Sequence, residues 1–338
     1  MPTPSVLIVA AVVAATALGC DDDRPSVEGV EAPDGFAVTE VVVGLDRPTQ
    51  IAFDADGRLL VAQLAGGEGD GTGQVLRLDF DAPAEREVVA DGLLTPTGVT
   101  EASGDVWIME QRRLSRVRPD GTTEVVLDQL PFNGRSEGTL TNTPDGRVLY
   151  NTSGTLAGDE PAEGSGAIWS IAAAEEPVAV ATGLKNGYAR TFDGEGRLWG
   201  VEMSDGSFDG RPAPDEVMIV EPGAEFGWPR CVGDGTPVEQ YGGTAAVCAE
   251  APPSLTLFEP GATPTSISVA PWDPAVLVVA LWNEGRVVTV PIDEPAPDEP
   301  VESETFLTGL DHPQHLLPDG DRLLIVDHDG GRILAVER

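Results

Sequence analysis

Apolar runs along this chain are short, and Gly, Pro, Asp or Asn breaks each one before helical spacing can develop. One pattern recurs: a compact apolar run that closes, in most copies, on a polar residue. It stands at 58–63, 105–110, 147–152, 197–202, 275–282 and 322–327. A turn such as Asp56-Gly57, Asp145-Gly146 or Glu195-Gly196 precedes most copies, which predicts a tight hairpin. Each copy has an apolar strand before it and another after it, as at 73–79 and 331–337. A fourth strand ending in Gly-Leu closes the unit at 88–93, 178–184 and 306–310. Six such units of roughly 41 to 49 residues, one of them stretched by an insertion, predict an all-β chain folded as a six-bladed β-propeller over 36–338. The last unit stops after its third strand at Arg338, whereas 36–45 is a lone fourth strand ending in Gly44-Leu45. The N-terminal strand is therefore expected to complete the last blade and remove an exposed sheet edge. The segment 223–253 breaks the pattern and is expected to form an inserted loop of blade four.

Composition narrows the function. Apolar residues make up 41% of 338, enough for a sizeable core. The net charge of −37 repels nucleic acid and anionic lipid, and no basic stripe offsets it. Such a surface suits cations or neutral ligands. Residues 6–18 are almost all apolar or small, too few to span a bilayer. The following Ala17-Leu18-Gly19-Cys20 resembles the lipobox of bacterial lipoproteins. That likeness implies a signal peptide over 1–19, acylation of Cys20 and a polar tether over 20–35, hence an extracytoplasmic protein held to a membrane through its N-terminal lipid only. In an oxidising compartment Cys231 and Cys248 are expected to form a disulfide that pins the inserted loop. Closing a loop of about 18 residues contributes roughly 3 kcal/mol in the chain-entropy model.

In a propeller the starts of the inner strands and the ends of the second strands open on one face, and that mouth is the expected site. Gln50, Gln63 and Glu110-Gln111-Arg112 are expected there from the first two blades. Arg135, Glu137, Lys185-Asn186 and Glu202 follow from the middle of the chain. Trp282-Asn283, His312, His315, Asp327 and His328 come from its last third.

The run Gly183-Leu184-Lys185-Asn186, then Gly196-Arg197-Leu198-Trp199, Asp215-Glu216 and Phe226-Gly227-Trp228-Pro229 resembles the quinone-dependent glucose/sorbosone dehydrogenases. Cys231, Cys248 and Trp282-Asn283 look like further features of that family. The resemblance covers about 34–338, with order and spacing agreeing best over 183–231. It implies a six-bladed propeller that binds pyrroloquinoline quinone and calcium at the mouth and oxidises a sugar-like ligand. It assigns cofactor contacts to Gln63, Lys185, Asn186, Trp282 and Asn283, and the calcium turn to Glu202, Ser204 and Asp205. The family's base is a histidine, and the matching position here is Arg135, which is no base near neutral pH. Glu137, two residues on, is the substitute within reach.

Two other arrangements stay open. A calcium-dependent lactonase-like site would draw on Asn186, Glu202, Glu137 and Gln50. The three histidines all fall in the last blade, where His312, His315 and His328, with Asp311 or Asp329, could hold a transition metal. A propeller that binds a ligand or partner at the mouth without catalysis is the remaining alternative.

Overall fold

The computed structural model describes residues 25–135, 137–204, 206–292 and 299–338. The stretch expected to be a signal peptide, Cys20 and Asp205 therefore lie outside the described residues. Among the described residues six antiparallel blades form the ring, five of them ordered along the chain from inner to outer strand. Blade 1 is Pro48–Phe53, Leu59–Gln63, Gly73–Leu78 and Arg86–Leu93. Blade 2 is Gly98–Ala102, Asp105–Glu110, Arg113–Val117 and Thr123–Asp128. Blade 3 is Thr141–Asn142, Val148–Thr152, Ala167–Ile171 and Val178–Thr182. Blade 4 is Ala189–Phe192, Leu198–Glu202, Asp215–Ile219 and Ser254–Phe258. Blade 5 is Pro264–Ala270, Asp273–Leu281, Arg286–Pro291 and Glu304–Leu307. Blade 6 is Pro313–Asp319, Arg322–Asp327 and Arg332–Glu337, and Ala37–Val43 completes it. That closing pair runs in register from Ala37 opposite Glu337 to Val43 opposite Arg332, with one irregularity between Glu40 and Val42.

The apolar runs read as continuous rather than alternating because the second strand of a blade is covered on both faces. Successive side chains point to opposite sides of a strand, so one strand feeds two cores. Leu59 and Val61 pack with blade 6, whereas Leu60 and Ala62 pack with blade 2. The molecule has six such cores, one per blade junction. Outer strands such as Thr123–Asp128 alternate between exposed and half-buried positions, since only one end of the blade wedge meets water.

Three details differ from expectation. The 20–35 segment is not all free tether: Glu31 exchanges backbone hydrogen bonds with Thr308, and Val30 is buried between blades 5 and 6. The 223–253 insertion belongs to blade 4 but straddles a junction, because Ala224–Glu225 adds in parallel to Val178–Thr182 of blade 3. The Cys231–Cys248 disulfide closes it. Blade 3 carries a small hairpin, Leu156–Ala157 with Glu160–Pro161, that no pattern announced. No helix among the described residues is long and apolar enough to cross a membrane.

Candidate functional site at the channel mouth

Each inner strand opens with a repeated pair: Pro48-Thr49, Pro96-Thr97, Gly138-Thr139, Tyr188-Ala189, Pro264-Thr265 and Pro313-Gln314. The threonine hydroxyl donates to the carbonyl of the next blade's pair. Thr49 reaches Pro96 O at 2.8 Å, Thr97 reaches Gly138 O at 3.3 Å, Thr139 reaches Tyr188 O at 3.4 Å and Thr265 reaches Pro313 O at 2.7 Å. Ala189 has no hydroxyl to offer blade 5. At the last junction Gln314 turns across the channel and donates to Tyr188 Oη at 2.6 Å. His328 takes its place, with Nδ1 2.8 Å from Pro48 O.

The residues before four of the prolines, Arg47, Thr95, Thr263 and His312, have φ of 54°, 49°, 59° and 65°. Such left-handed backbone costs about 1–2 kcal/mol per residue, so these loops need support. The polar ends of the second strands supply it. Gln63 Oε1 accepts from Asp46 N at 3.0 Å, Glu110 Oε2 from Leu94 N at 2.9 Å, Glu202 Oε1 from Lys185 N at 2.5 Å and Asp327 Oδ1 from Asp311 N at 2.6 Å. Blade 5 ends in apolar Leu281, and there Asp215 of blade 4 accepts from Thr263 N at 2.8 Å while its other oxygen accepts from Ser204 N at 2.7 Å. This corrects the sequence expectation: Gln63, Glu110, Glu202 and Asp327 are buried props for the rim loops rather than open groups on it. Gln50 also stays inside, joining three blades through Val99 N, Leu140 N and Leu140 O.

Above these props lies a cavity of about 410 Å³ at the channel mouth. Five of the expected residues meet on its wall: Arg135, Asn186, Trp282, Asn283 and His328. Asn186 Oδ1 accepts from Asn151 Nδ2 at 3.0 Å, while its own NH2 has Met203 Sδ at 4.0 Å as its partner, so it has no oxygen acceptor. Trp282 stacks on His312, ring centroids 4.6 Å apart, and meets the His328 ring edge-on at 4.8 Å. Asn283 Nδ2 donates to Gly261 O and Thr263 Oγ1, which leaves its carbonyl oxygen as the free end.

No protein-family model and no curated protein matches this sequence. Solved structures do match. The quinone domain of pyranose dehydrogenase from Coprinopsis cinerea is similar over 94% of this chain and 99% of its own, with TM-score 0.74 and 18% identity. The aldose sugar dehydrogenase from Streptomyces coelicolor, solved with pyrroloquinoline quinone bound, covers 91% of this chain and 99% of its own at TM-score 0.66 and 18% identity. The fold is that of the quinone-dependent sugar dehydrogenases. A gluconolactonase from Xanthomonas campestris is similar at TM-score 0.58 and 14% identity, over 90% of each chain.

Within this propeller the remaining expected residues fall away from the cavity wall. Lys185 Nζ stands 5.8 Å from the centre of the Trp228 ring, outside the lining. Glu137 is fully buried rather than on the wall, so it does not replace the missing histidine. One oxygen accepts from Arg112 N at 2.8 Å, the other has no partner, and burial pushes its carboxyl up to about 7. Burial and the neighbouring Glu216 hold Glu202 well above the usual carboxylate range. The three histidines do not converge. His312 Nδ1 lies 2.8 Å from Asp329 and 3.5 Å from Asp311, a hydrogen-bonded contact against the Trp282 ring. His315 is buried in the inner strand of blade 6 with Nδ1 unpartnered, and burial pulls it down to about 3. Sequence reasoning missed Tyr188, Gln314, Thr95 and Thr263 as lining residues. The recurring Pro-Thr pair was a visible signal for the rim, whereas the Tyr188–Gln314 contact joins residues with no local cue.

Proposed function

We propose that the protein oxidises a sugar-like alcohol at the mouth cavity, with pyrroloquinoline quinone bound there as the oxidant. The observation that carries this reading is the meeting of Arg135, Asn186 and Trp282, from three separate parts of the ring, on one cavity of about 410 Å³. That volume is in the usual range for small-molecule sites. The lining suits a flat, anionic, aromatic ligand: Trp282 provides an aromatic wall, Arg135 a guanidinium matched to carboxylates, and Asn186 a donor amide. When bound, the quinone accepts a hydride from the substrate carbon. The chain's own residues hold both partners and receive the hydroxyl proton.

Calcium has weaker support. Resemblance places it at Glu202, Ser204 and Asp205, but one oxygen of the Glu202 carboxylate is engaged by Lys185 N and the group is buried, and no step is assigned to a metal. The same engagement weighs against a lactonase site built from Glu202, Glu137 and Gln50. Arg135 in place of a histidine favours one second reading, a mouth that binds its ligand without turnover. Titration with the quinone, followed by dye-linked aldose oxidation, separates the two. The enzyme reading expects saturable binding, at least tenfold weaker in Arg135→Ala, together with turnover. Binding without turnover supports the second reading, and no binding removes the first.

An extracytoplasmic location with Cys20 acylated belongs to the same proposal, supported by the lipobox-like leader and the disulfide. Incorporation of labelled palmitate that disappears in Cys20→Ala is the expected result.

A further inference from the structure

We propose that His328 is the catalytic base of the mouth cavity, acting through Nε2 in the role that Arg135 cannot fill. This rests on the oxidation reading above. The tautomer is set by a neighbour that can only accept: Pro48 O lies 2.8 Å from Nδ1, so Nδ1 carries the proton and Nε2 keeps its lone pair. The ring is held from three sides, by that bond, by the edge-on Trp282 ring at 4.8 Å and by its place at the end of the Arg322–Asp327 strand. Only 6% of the residue is exposed, yet it lines the cavity. Among the described residues Nε2 makes no hydrogen bond; Asp329 Oδ1 stands 3.8 Å away, too far to occupy the nitrogen, and its charge favours an imidazolium while burial and Arg47 oppose one and keep the resting ring neutral.

Other bases near the cavity are accounted for. Both Asp215 oxygens accept from backbone amides. Glu137 lies off the wall and is fully buried. Glu68 is the remaining carboxylate on the wall, exposed on a glycine-rich loop with no hydrogen bond among the described residues to fix it. In the step assigned to His328, Nε2 would remove the substrate hydroxyl proton, and the quinone, when bound, would supply the oxidising chemistry by accepting the C–H hydride. The hydroxyl carbon becomes a carbonyl, and the imidazolium afterwards returns its proton to solvent.

His328 also clips blade 6 to blade 1, and a purely structural role must be told apart from catalysis. Asparagine places its amide near the Nδ1 position, so His328→Asn can keep the bond to Pro48 O and lacks only the base. The expected variant binds pyrroloquinoline quinone within about threefold of the parent, keeps KM within about threefold and loses at least 100-fold in kcat, the lower end of general-base effects. A kcat within threefold of the parent overturns the proposal while leaving the oxidation reading intact, as does loss of turnover in Glu68→Gln with His328→Asn still active. Nitrogen NMR of the unsubstituted protein gives an independent answer should the variant fail to fold. A protonated Nδ1 with a bare Nε2 at neutral pH supports the assignment, and the reverse tautomer overturns it. If the parent protein binds no quinone, the oxidation reading falls first and takes this role with it.

Discussion

Glu137 shows how much a single buried side chain can set the pH dependence of stability. Its carboxyl is fully buried, and desolvation lifts it from 4.5 to about 7 against the opposing pull of the Arg112 amide. Below pH 4.5 the group is neutral both folded and unfolded, so it costs nothing. Between about 4.5 and 7 the unfolded chain releases the proton and the folded one keeps it, and stability falls as pH rises. Above about 7 the loss levels off at roughly 3 to 4 kcal/mol, at about 1.4 kcal/mol per unit. Glu216, also lifted to about 7, has the same sign. Glu137→Gln keeps the acceptor for Arg112 N and removes the titration. Its melting temperature should match the parent near pH 4.5 and exceed it at pH 8, which scanning calorimetry across that range would check. An unchanged pH profile would show that the buried carboxyl finds solvation in solution. Residue types at the mouth were legible in the sequence, since Arg135, Asn186, Trp282, Asn283 and His328 all reach the wall. Their neighbours Glu137 and Glu202 were not, because period-two alternation says which side of a strand a residue faces, not whether its far end meets a cavity or a backbone amide.

At the level of the element, the hairpin between first and second strands repeats with graded chemistry. In blade 4 Asp193 Oδ1 accepts from Glu195 N and Arg197 N, each at 2.9 Å, and Oδ2 accepts from Arg197 Nε at 2.6 Å and Trp199 Nε1 at 2.8 Å. In blade 3 Thr143 Oγ1 holds the equivalent turn through Arg147 N at 2.8 Å. Asp193→Ala leaves the indole N–H of buried Trp199 without its acceptor as well as loosening the turn. The expected loss is about 3 kcal/mol by urea unfolding, against about 1 kcal/mol for Thr143→Ala. Equal losses would mean that the indole bond adds nothing. These hairpins were readable because Asp-Gly and Glu-Gly punctuation acts locally. The rim loops were harder: their left-handed residues precede proline, where local preference favours extended backbone, and the props arrive from strand ends 16 or 17 residues away in three of them and from Asp215, 48 residues away, in the Thr263 loop.

Across the whole molecule, stability depends on closing a ring of six cores, and no blade has a core of its own. The strand Ala37–Val43 enters two of them at once, Val38 with blade 5 and Val42 with blade 1, and Leu45 follows into the second. Burying three such side chains contributes about 6 kcal/mol, comparable to the net stability of an ordinary domain. Removing everything up to Leu45 would also uncover the Arg332–Glu337 strand as an edge able to pair with other chains. The truncated protein should therefore associate in light scattering and lose its cooperative melt. A peptide spanning 36–45 should restore both properties by adding back the missing strand. A peptide with Val38 and Val42 replaced by Asp should fail, since it keeps the backbone ladder and brings charge into both cores. Were the truncated ring to remain monomeric with an unchanged melt, the closure would rest on contacts between inner strands alone. The mouth would then need no N-terminal strand, and the pairing of complementary half-blades at the two ends of the sequence would have no bearing on the site.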